Sequence, residues 1–265
     1  MQDKYVGDVG DFGKYGLLKE LTNPKEVDGH PKLVLGVNWY LVPNDERDND
    51  GKHITYLTSN KKNEMLFREC DPDLYDKLKY IVQKNMRSVK NVMEREVLPN
   101  GTIFYDARLT FDGLSGIGPA ACARRLSYRN EWVEKGVNKL SECEIVFLDP
   151  DNGLQISSVK KHNKKGPKYV FFDEILPYWK NNHQSLIIYQ HMHFSESTPR
   201  QVENKLSQLK KLLGFDKKAF GLGYHRGTAR VFLVIPHSGE HEKIFRCRID
   251  RLLKGPWGRH FKLWK

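Results

Sequence analysis

Two carboxylates stand in a turn that directly follows an apolar segment of the sequence. The segment 144–148 leads into Asp149-Pro150-Asp151-Asn152-Gly153. A turn at the end of a buried strand holds an acidic side chain rigidly at the edge of a sheet. Such carboxylates can accept a hydrogen bond from an amine or bind a hard cation. We therefore predict that Asp149, Pro150, Asp151 and Asn152 are catalytic, although an ordinary turn would have the same composition.

Two histidines end another apolar segment, residues 185–190. An imidazole such as that of His191 or His193 can act as an acid, a base or a metal ligand near neutral pH. A histidine that is only hydrogen-bonded would look the same in the sequence. Because ligands of open parallel sheets bind beyond the strand ends, we expect His191 to join the Asp149 turn in a catalytic site.

Glycines recur at every third position near the start of the chain, with charged residues between them. Small residues at the start of a helix let backbone amides approach a ligand, and close packing of the helix would explain them equally well. We predict that Asp11 caps this helix. No strand precedes the run, so it does not meet the dinucleotide-binding fingerprint. The glycines are Gly7, Gly10, Gly13 and Gly16, and the charged residues are Asp8, Asp11 and Lys14.

Strands and helices must bring these residues together. Continuous apolar runs predict buried strands, and apolar residues at intervals of three and four predict helices. The predicted strands cover 32–42, 102–107, 144–148 and 185–191, with a short extended stretch at 53–57 and an antiparallel pair at 219–224 and 229–236. The predicted helices cover 11–21, two segments within 63–95 interrupted at Asp71-Pro72, 120–139, 169–181, 199–213 and 243–254. The charged segment 45–52 predicts a surface loop.

This order of elements predicts an α/β fold. The sheet should be Rossmann-like and mainly parallel, with helices on both faces and a C-terminal antiparallel strand pair. With 265 residues, 39% of them hydrophobic, the chain can bury a sizeable core and still form one domain, residues 1–265. Asn38, Trp39 and Asp106 lie in or just beyond the first two strands. We expect them to meet the Asp149 turn and His191 in one cleft.

Composition bears on partners and location. A formal net charge of +11 favours a polyanionic partner, and nucleic acid is the commonest one, although a merely basic surface would have the same charge. The four cysteines lie far apart, without the spacing of a zinc site, so we predict no metal site of that kind. No signal-peptide pattern and no apolar run of membrane-spanning length is present. We therefore expect a cytoplasmic protein that does not bind membranes.

The chain resembles the class I (Rossmann-like) S-adenosylmethionine-dependent methyltransferases, whose seven-strand sheet ends in an antiparallel hairpin. The Asp149-Pro150-Asp151-Asn152 turn is similar to the Asp-Pro-Pro-aromatic motif of methyltransferases that act on amino groups of adenine or cytosine in nucleic acid. The segment Gly10-Asp11-Phe12-Gly13-Lys14-Tyr15 is distantly similar to the Gly-Asn-Phe/His-Ala-Asp segment of the ribosomal RNA adenine-N6 methyltransferases.

The resemblance implies a role for each matching residue. Asp149 would accept a hydrogen bond from the target amine, Pro150 would offer its carbonyl, and the target base would be flipped out to meet them. The residues expected to border the cofactor, S-adenosylmethionine, are Asp11, Lys14, Asn38, Trp39 and Asp106.

The chain departs from the family at two places. The first strand lacks the acidic-Gly-x-Gly-x-Gly loop, and Asp151 and Asn152 stand where the family has proline and an aromatic residue. Trp39, Tyr40 or Tyr189 would then have to stack on the base.

Two other functions are compatible with the same residues. A metal-dependent nuclease or phosphodiesterase, for instance in phage defence, would use Asp149, Asp151 and His191 around Mg²⁺ or Mn²⁺. A noncatalytic nucleic-acid-binding module would keep only the sheet and the basic surface.

Overall fold

Helices and strands alternate along the chain, as the computed structural model shows for residues 1–24, 28–45, 50–58, 60–193 and 196–264. The α-helices are α1 (Val9–Thr22), α2 (Lys61–Asn63), α3 (Pro72–Gln83), α4 (Val89–Glu94), α5 (Pro119–Lys139), α6 (Phe172–Lys180), α7 (Thr198–Leu213) and α8 (Gly239–Lys254). A π-helical turn, Glu64–Arg68, continues α2. Short 3₁₀ helices cover Asp3–Tyr5, Thr55–Leu57, Gly166–Lys168 and Pro256–Arg259. The strands are β1 (Leu35–Asn38), β2 (Ile103–Tyr105), β3 (Ile145–Leu148), β4 (Gly153–Leu154), β5 (Tyr169–Val170), β6 (Ser185–His191), β7 (Phe220–Tyr224), β8 (Arg230–Ile235) and β9 (Phe261–Trp264).

Seven strands form one sheet in the order β2-β1-β3-β6-β8-β7-β9. The first four strands of this order are parallel, and β8 runs antiparallel to both β6 and β7. The small strands β4 and β5 pair with each other outside this sheet. The predicted Rossmann-like fold with a C-terminal antiparallel strand pair is therefore confirmed, and β9 adds a third antiparallel strand at the edge.

Each face of the sheet has its own apolar core. Because side chains alternate along a strand, Ile145 and Phe147 of β3 face one core, and Val146 and Leu148 face the other. The helices α1, α3 and α8 cover the first core, and α5, α6 and α7 cover the second. Helices therefore lie on both faces, as predicted. No helix in the described ranges has the length and apolar character needed to span a bilayer.

The glycines of α1 allow close contact with aromatic residues of the C-terminal part of the chain. A Cβ atom at Gly13 would lie 2.4 Å from the ring of Tyr224, and one at Gly16 would lie 2.2 Å from the ring of Trp257. Neither position could hold a larger side chain without moving an aromatic ring of the core. Of the two explanations for the glycine spacing, close packing of the helix is therefore the one that these contacts support.

Several predicted boundaries are wrong. The N-cap of α1 is Asp8, whose carboxylate accepts a hydrogen bond from the Gly10 amide. The first strand covers only Leu35–Asn38 of the predicted 32–42, because the chain turns sharply at Tyr40, which has a φ of 42°.

Other segments adopt a different type of secondary structure from the predicted one. Residues 55–57 form a 3₁₀ turn instead of an extended stretch, and the segment predicted as helix 169–181 begins with the strand β5. Within 63–95 the break at Asp71-Pro72 is confirmed, but Ser88 caps an additional helix, α4. The predicted surface loop 45–52 lies partly outside the described residues.

Candidate functional site

A cavity of about 170 Å³ opens at the carboxyl edge of the sheet, between the ends of β3 and β6 and the start of α1. All five predicted catalytic residues line it: Asp149, Pro150, Asp151, Asn152 and His191. Two of the predicted cofactor-binding residues, Asp11 and Lys14, line it as well. The strand order reverses between β1 and β3, and ligands of open α/β sheets bind at such a switch point.

A buried lysine links the N-terminal helix to the turn after β3. The Lys14 ammonium lies 2.8 Å from Asp11 Oδ1 and 2.8 Å from Asp149 Oδ2, and all three side chains are at most 4% exposed. The hydroxyl of Tyr15 donates a further hydrogen bond to Asp11 Oδ2 at 3.0 Å. These bonds fix the orientation of the Asp149 carboxylate.

Burial and neighbouring charges shift the pKa values of Lys14 and Asp149. Burial alone would lower the pKa of Lys14, but Asp11 and Asp149 outweigh burial and raise it above its usual value. Burial raises the pKa of Asp149, and Lys14 opposes that rise. Lys14 therefore stays protonated at neutral pH and remains a donor to both carboxylates.

Asp151 points away from Lys14 and binds a different cation. Its Oδ1 lies 2.7 Å from the amino group of Met1, and its Oδ2 accepts a 2.7 Å hydrogen bond from Gln2. Burial would raise the pKa of Asp151, but the ammonium group and these hydrogen bonds lower it below its usual value. The same ammonium donates to the carbonyl oxygens of Tyr40 at 3.2 Å and Asp149 at 2.9 Å.

The end of β6 supplies a ring and an imidazole. Tyr189 is 9% exposed, and its ring centre lies 5.8 Å from the Lys14 ammonium. His191 is half-buried, and its pKa is lowered by burial and by electrostatic interaction with Arg230 and His193. His191 is therefore neutral at pH 7, and it can accept or donate a proton.

Gln190 supports the Asp149 turn instead of reaching the cavity. Its Oε1 accepts a hydrogen bond from the Leu154 amide at 2.9 Å, and its Nε2 donates to the His191 carbonyl at 2.7 Å. A Cβ atom at Gly153, whose φ is +102°, would lie 2.6 Å from the Gln190 amide oxygen. The turn thus needs glycine at position 153 for both space and conformation.

Three predicted site residues do not line the cavity. Asn38 donates to the Tyr178 hydroxyl at 3.1 Å and accepts from the Tyr40 amide, so it braces the turn after β1. Trp39 is fully buried, with its ring 6.1 Å from that of Phe104. Asp106 is exposed at the end of the edge strand β2, away from the switch point. The side chains of Asn38, Trp39 and Asp106 therefore do not converge on this cavity as predicted, although the Asn38 carbonyl accepts a hydrogen bond from the Asp149 amide at 3.0 Å.

Further residues, which were not predicted as site residues, also line the cavity. They include Tyr5, Asp8, His53 and Arg230. Arg230 begins β8, and an antiparallel strand begins at the edge where its parallel neighbour ends. The predicted antiparallel pair could have pointed to Arg230 for that reason, whereas no pattern in the sequence pointed to His53.

A second cleft, of about 470 Å³, lies beyond the ends of β1 and β2. The loops after these strands contribute Asp45 and Asp112, and Arg125 and Lys168 close the other side. The Lys168 ammonium lies 3.6 Å from Asp151 Oδ2, so this pair stands between the cleft and the first cavity. Within the described residues, no group of three or more His, Cys, Asp or Glu side chains could hold a metal ion.

Comparisons with known proteins do not assign the chain to a family. No protein family model matches the chain, and no curated protein does. Among solved structures, the chain is similar to a protein from Legionella pneumophila str. Philadelphia 1 described by the family model DUF519. The match covers 97% of this chain and 96% of that one, at 15% sequence identity and a TM-score of 0.46. Similarity at that level carries no argument about function.

Proposed function

We propose that the protein is an S-adenosylmethionine-dependent methyltransferase that acts on an exocyclic amino group of adenine or cytosine in nucleic acid. One observation carries this proposal. The Asp149-Pro150 turn leaves β3 at the switch point of the sheet and borders a cavity together with Lys14 of the N-terminal helix. The two segments that resemble motifs of this enzyme class thus meet, although they are 135 residues apart.

The first cavity suits a single base. Its volume of about 170 Å³ is below the roughly 300–1,000 Å³ of pockets that hold larger ligands. Of the three aromatic residues that could stack on the base, Tyr189 lines this cavity, whereas Trp39 and Tyr40 do not. Stacking of a base on an aromatic ring contributes about 1–3 kcal/mol. Tyr189 therefore takes the stacking role in this proposal.

Asp149 and His191 would handle the hydrogens of the target amine. Lys14 engages Asp149 Oδ2, and no described residue donates a hydrogen bond to Oδ1, which can accept one from the amine. His191 lines the same cavity in its neutral form and can accept the proton that the amine loses. Positioning of the amine supplies much of the rate enhancement in such a reaction.

The acceptors around Met1 fit the amino-acid part of the cofactor. The carbonyls of Tyr40 and Asp149 and the carboxylate of Asp151 surround the ammonium group of a methionine, Met1. S-adenosylmethionine has the same ammonium group, and it would supply an electrophilic methyl group. The second cleft falls within the size range of small-molecule sites and fits the rest of the cofactor. Met1 fills these acceptors, so the cofactor can bind to them only after Met1 is displaced.

The turn after β1 supports this fit despite its lack of glycines. Tyr40 adopts a φ of 42°, a conformation that glycine adopts easily and that costs other residues on the order of 1–3 kcal/mol. Asn38 stabilises the turn by accepting a hydrogen bond from the Tyr40 amide. The turn directs the Tyr40 carbonyl towards the ammonium group.

No observation favours the metal-dependent nuclease. That function needs Asp149 and Asp151 as ligands of one cation, but each carboxylate pairs with a different cation, and within the described residues no group of three or more His, Cys, Asp or Glu side chains could hold a metal ion. A nucleic-acid partner remains part of our proposal because of the net charge of +11. A cytoplasmic location is also part of it, and the four cysteines, which form no disulfide, support that location.

Calorimetric titration with S-adenosylmethionine tests the proposal. We expect saturable binding, and weaker binding by Asp151→Asn, which loses the carboxylate at the ammonium site. A parallel incubation of single-stranded DNA and RNA with Mg²⁺ or Mn²⁺ and no cofactor tests the nuclease. Cleavage that Asp149→Ala abolishes, or no detectable cofactor binding by the folded wild-type protein, would refute the methyltransferase proposal.

A further inference from the structure

A groove of about 220 Å³ continues from the first cavity along the turn between β7 and β8. We call it the hairpin groove; its lining includes Val9, His53, Asn63, Arg226 and Gly227. His53 lines both the groove and the first cavity. A Cβ atom at Gly227 would lie 3.5 Å from His53 and 3.6 Å from Nη2 of Arg230. The two spaces are therefore neighbours along one hairpin.

Neutral groups hold the arginine of the hairpin groove. Arg226 Nε donates to Nδ1 of His260 at 2.8 Å, and Arg226 Nη2 donates to the carbonyl of Arg259 at 3.3 Å. Burial lowers the pKa of His260 to about 4, against a hydrogen bond to the Leu66 carbonyl that raises it. His260 is thus neutral, with Nδ1 as acceptor and the hydrogen on Nε2 donated to Leu66 at 2.8 Å. In the described part of the chain, Arg226 forms no ion pair with a carboxylate.

The arginine of the first cavity, Arg230, has neutral hydrogen-bond acceptors and one nearby carboxylate. Arg230 is 8% exposed, and it donates to the carbonyl of Thr228 at 3.2 Å and to the Thr228 hydroxyl at 2.7 Å. The Asp8 carboxylate also forms a long ion pair with Arg230, with Oδ1 3.9 Å from Nη1 and therefore without a hydrogen bond between them. Arg226 is therefore oriented by neutral acceptors, and its charge remains available to an anion, whereas Arg230 shares part of its charge with Asp8.

We propose that the hairpin groove binds the sugar-phosphate backbone of a single-stranded nucleic acid. Arg230 and Arg226 contact phosphates next to the nucleotide whose base enters the first cavity. This inference rests on the proposed function for the role of that base. A planar guanidinium matches the oxygens of a phosphate, and a preoriented one loses less entropy on binding. A single strand fits better than a duplex because the base must be unstacked to enter the cavity.

Fluorescence anisotropy with labelled RNA and DNA oligonucleotides of about 12 nucleotides tests the groove. The protein is used without cofactor, as wild type, Arg226→Gln, Arg226→Lys and a control, Arg246→Gln. The control removes the same charge from an exposed arginine of α8 that is paired with Glu242. Thermal unfolding of each variant confirms that it is folded.

We expect Arg226→Gln to weaken single-strand binding about five- to tenfold near 0.1 M salt. The slope of log binding constant against log salt concentration should also become smaller in magnitude by about 0.7, the value of one phosphate contact. Arg226→Lys should keep the slope, because it keeps the charge. Arg246→Gln should change affinity by less than about twofold, as expected for an exposed charge outside the groove.

Three results would overturn the proposal: equal effects of Arg226→Gln and Arg246→Gln, preference of the wild type for duplex over single strands, or no binding of single strands. None of these measurements involves methyl transfer. Binding that depends on Arg226 without methyl transfer would therefore refute the proposed methyltransferase function but not the nucleic-acid groove. Methyl transfer together with unaltered binding by Arg226→Gln would refute the nucleic-acid groove but not the proposed function.

Discussion

Replacement of Lys14 by methionine tests the centre of the candidate site. The substitution keeps the length of the side chain but removes the cation that lies 2.8 Å from both Asp11 and Asp149. Loss of one partner from a buried ion pair costs about 3–5 kcal/mol, because a buried charge is left uncompensated. For a chain of this size, each kcal/mol lowers Tm by about 2–4 °C. We therefore expect Lys14→Met to lower Tm by roughly 6–20 °C.

The pH dependence of this loss has a definite sign. Without Lys14, the pKa of the Asp149 carboxyl rises further above its unfolded value, so the folded variant takes up a proton that the unfolded chain does not. The variant is then stabilised as the pH falls through the raised pKa. The deficit in Tm relative to wild type should be smaller near about pH 5 than near about pH 8.

Calorimetry of thermal unfolding measures this effect against a matched control. Lys135→Met breaks an exposed pair with Glu131 on α5 and should leave Tm essentially unchanged. The double variant Lys14→Met/Asp149→Asn should recover part of the loss, because one uncompensated carboxylate is gone. A Tm for Lys14→Met equal to that of Lys135→Met would refute the buried cluster.

Three other substitutions test separate parts of the account. Gly13→Ala should destabilise the protein by about 1–3 kcal/mol in urea unfolding, since the new methyl group would lie 2.4 Å from the Tyr224 ring; unchanged stability would contradict the close packing of α1. Tyr189→Ala should lower kcat/KM for methyl transfer roughly 5- to 150-fold, the equivalent of a lost stacking contact, and an unaltered kcat/KM would remove Tyr189 from the base cavity. The pKa of His260 is about 4, against about 6.5 in the unfolded chain. Between about pH 4 and about pH 6.5 the unfolded state therefore binds more protons than the folded state, and the stability of the fold rises with pH in this range. His260→Gln should reduce this slope without abolishing it, because His191 also has a lowered pKa, and an unchanged slope would contradict the assignment to His260.

The fold could be predicted from the sequence because its central strands are buried on both sides. Residues 145–148 and 185–190 are apolar or fully buried, and such continuous runs are typical of parallel strands covered by helices. Because these strands were predicted correctly, the rule that ligands bind beyond the carboxyl ends of parallel strands placed Asp149 and His191 in one cavity. The prediction that residues 1–265 form one domain stays a prediction.

The errors have local causes. Trp39 enters the core because it continues the alternation that turns Leu35 and Val37 towards the same face of the sheet. Asp11 was predicted to cap α1, but the helix begins three residues earlier with Asp8 as its cap, and Asp11 pairs with Lys14 instead. The strand β9 has only four residues and forms at the free edge of β7.

The roles of the site residues depend on contacts between distant parts of the chain. Lys14 and Asp149 are 135 residues apart, and the pairing of their charges follows from how α1 packs on the sheet. The sequence suggested both residues separately, through two short motifs. Their assignment to cofactor binding and catalysis stays a prediction, as does the identity of the cofactor.

Methyl transfer by the wild type and by Asp149→Asn is the most direct test of the central claim. Each protein is incubated with isotopically methyl-labelled S-adenosylmethionine and single-stranded RNA or DNA, and label in the nucleic acid is counted. We predict incorporation by the wild type and a rate at least about a hundredfold lower for folded Asp149→Asn, as when a preorganised hydrogen bond to a reacting group is lost. No incorporation by the wild type, or equal rates for the two proteins, would contradict the assignment of this cavity to methyl transfer.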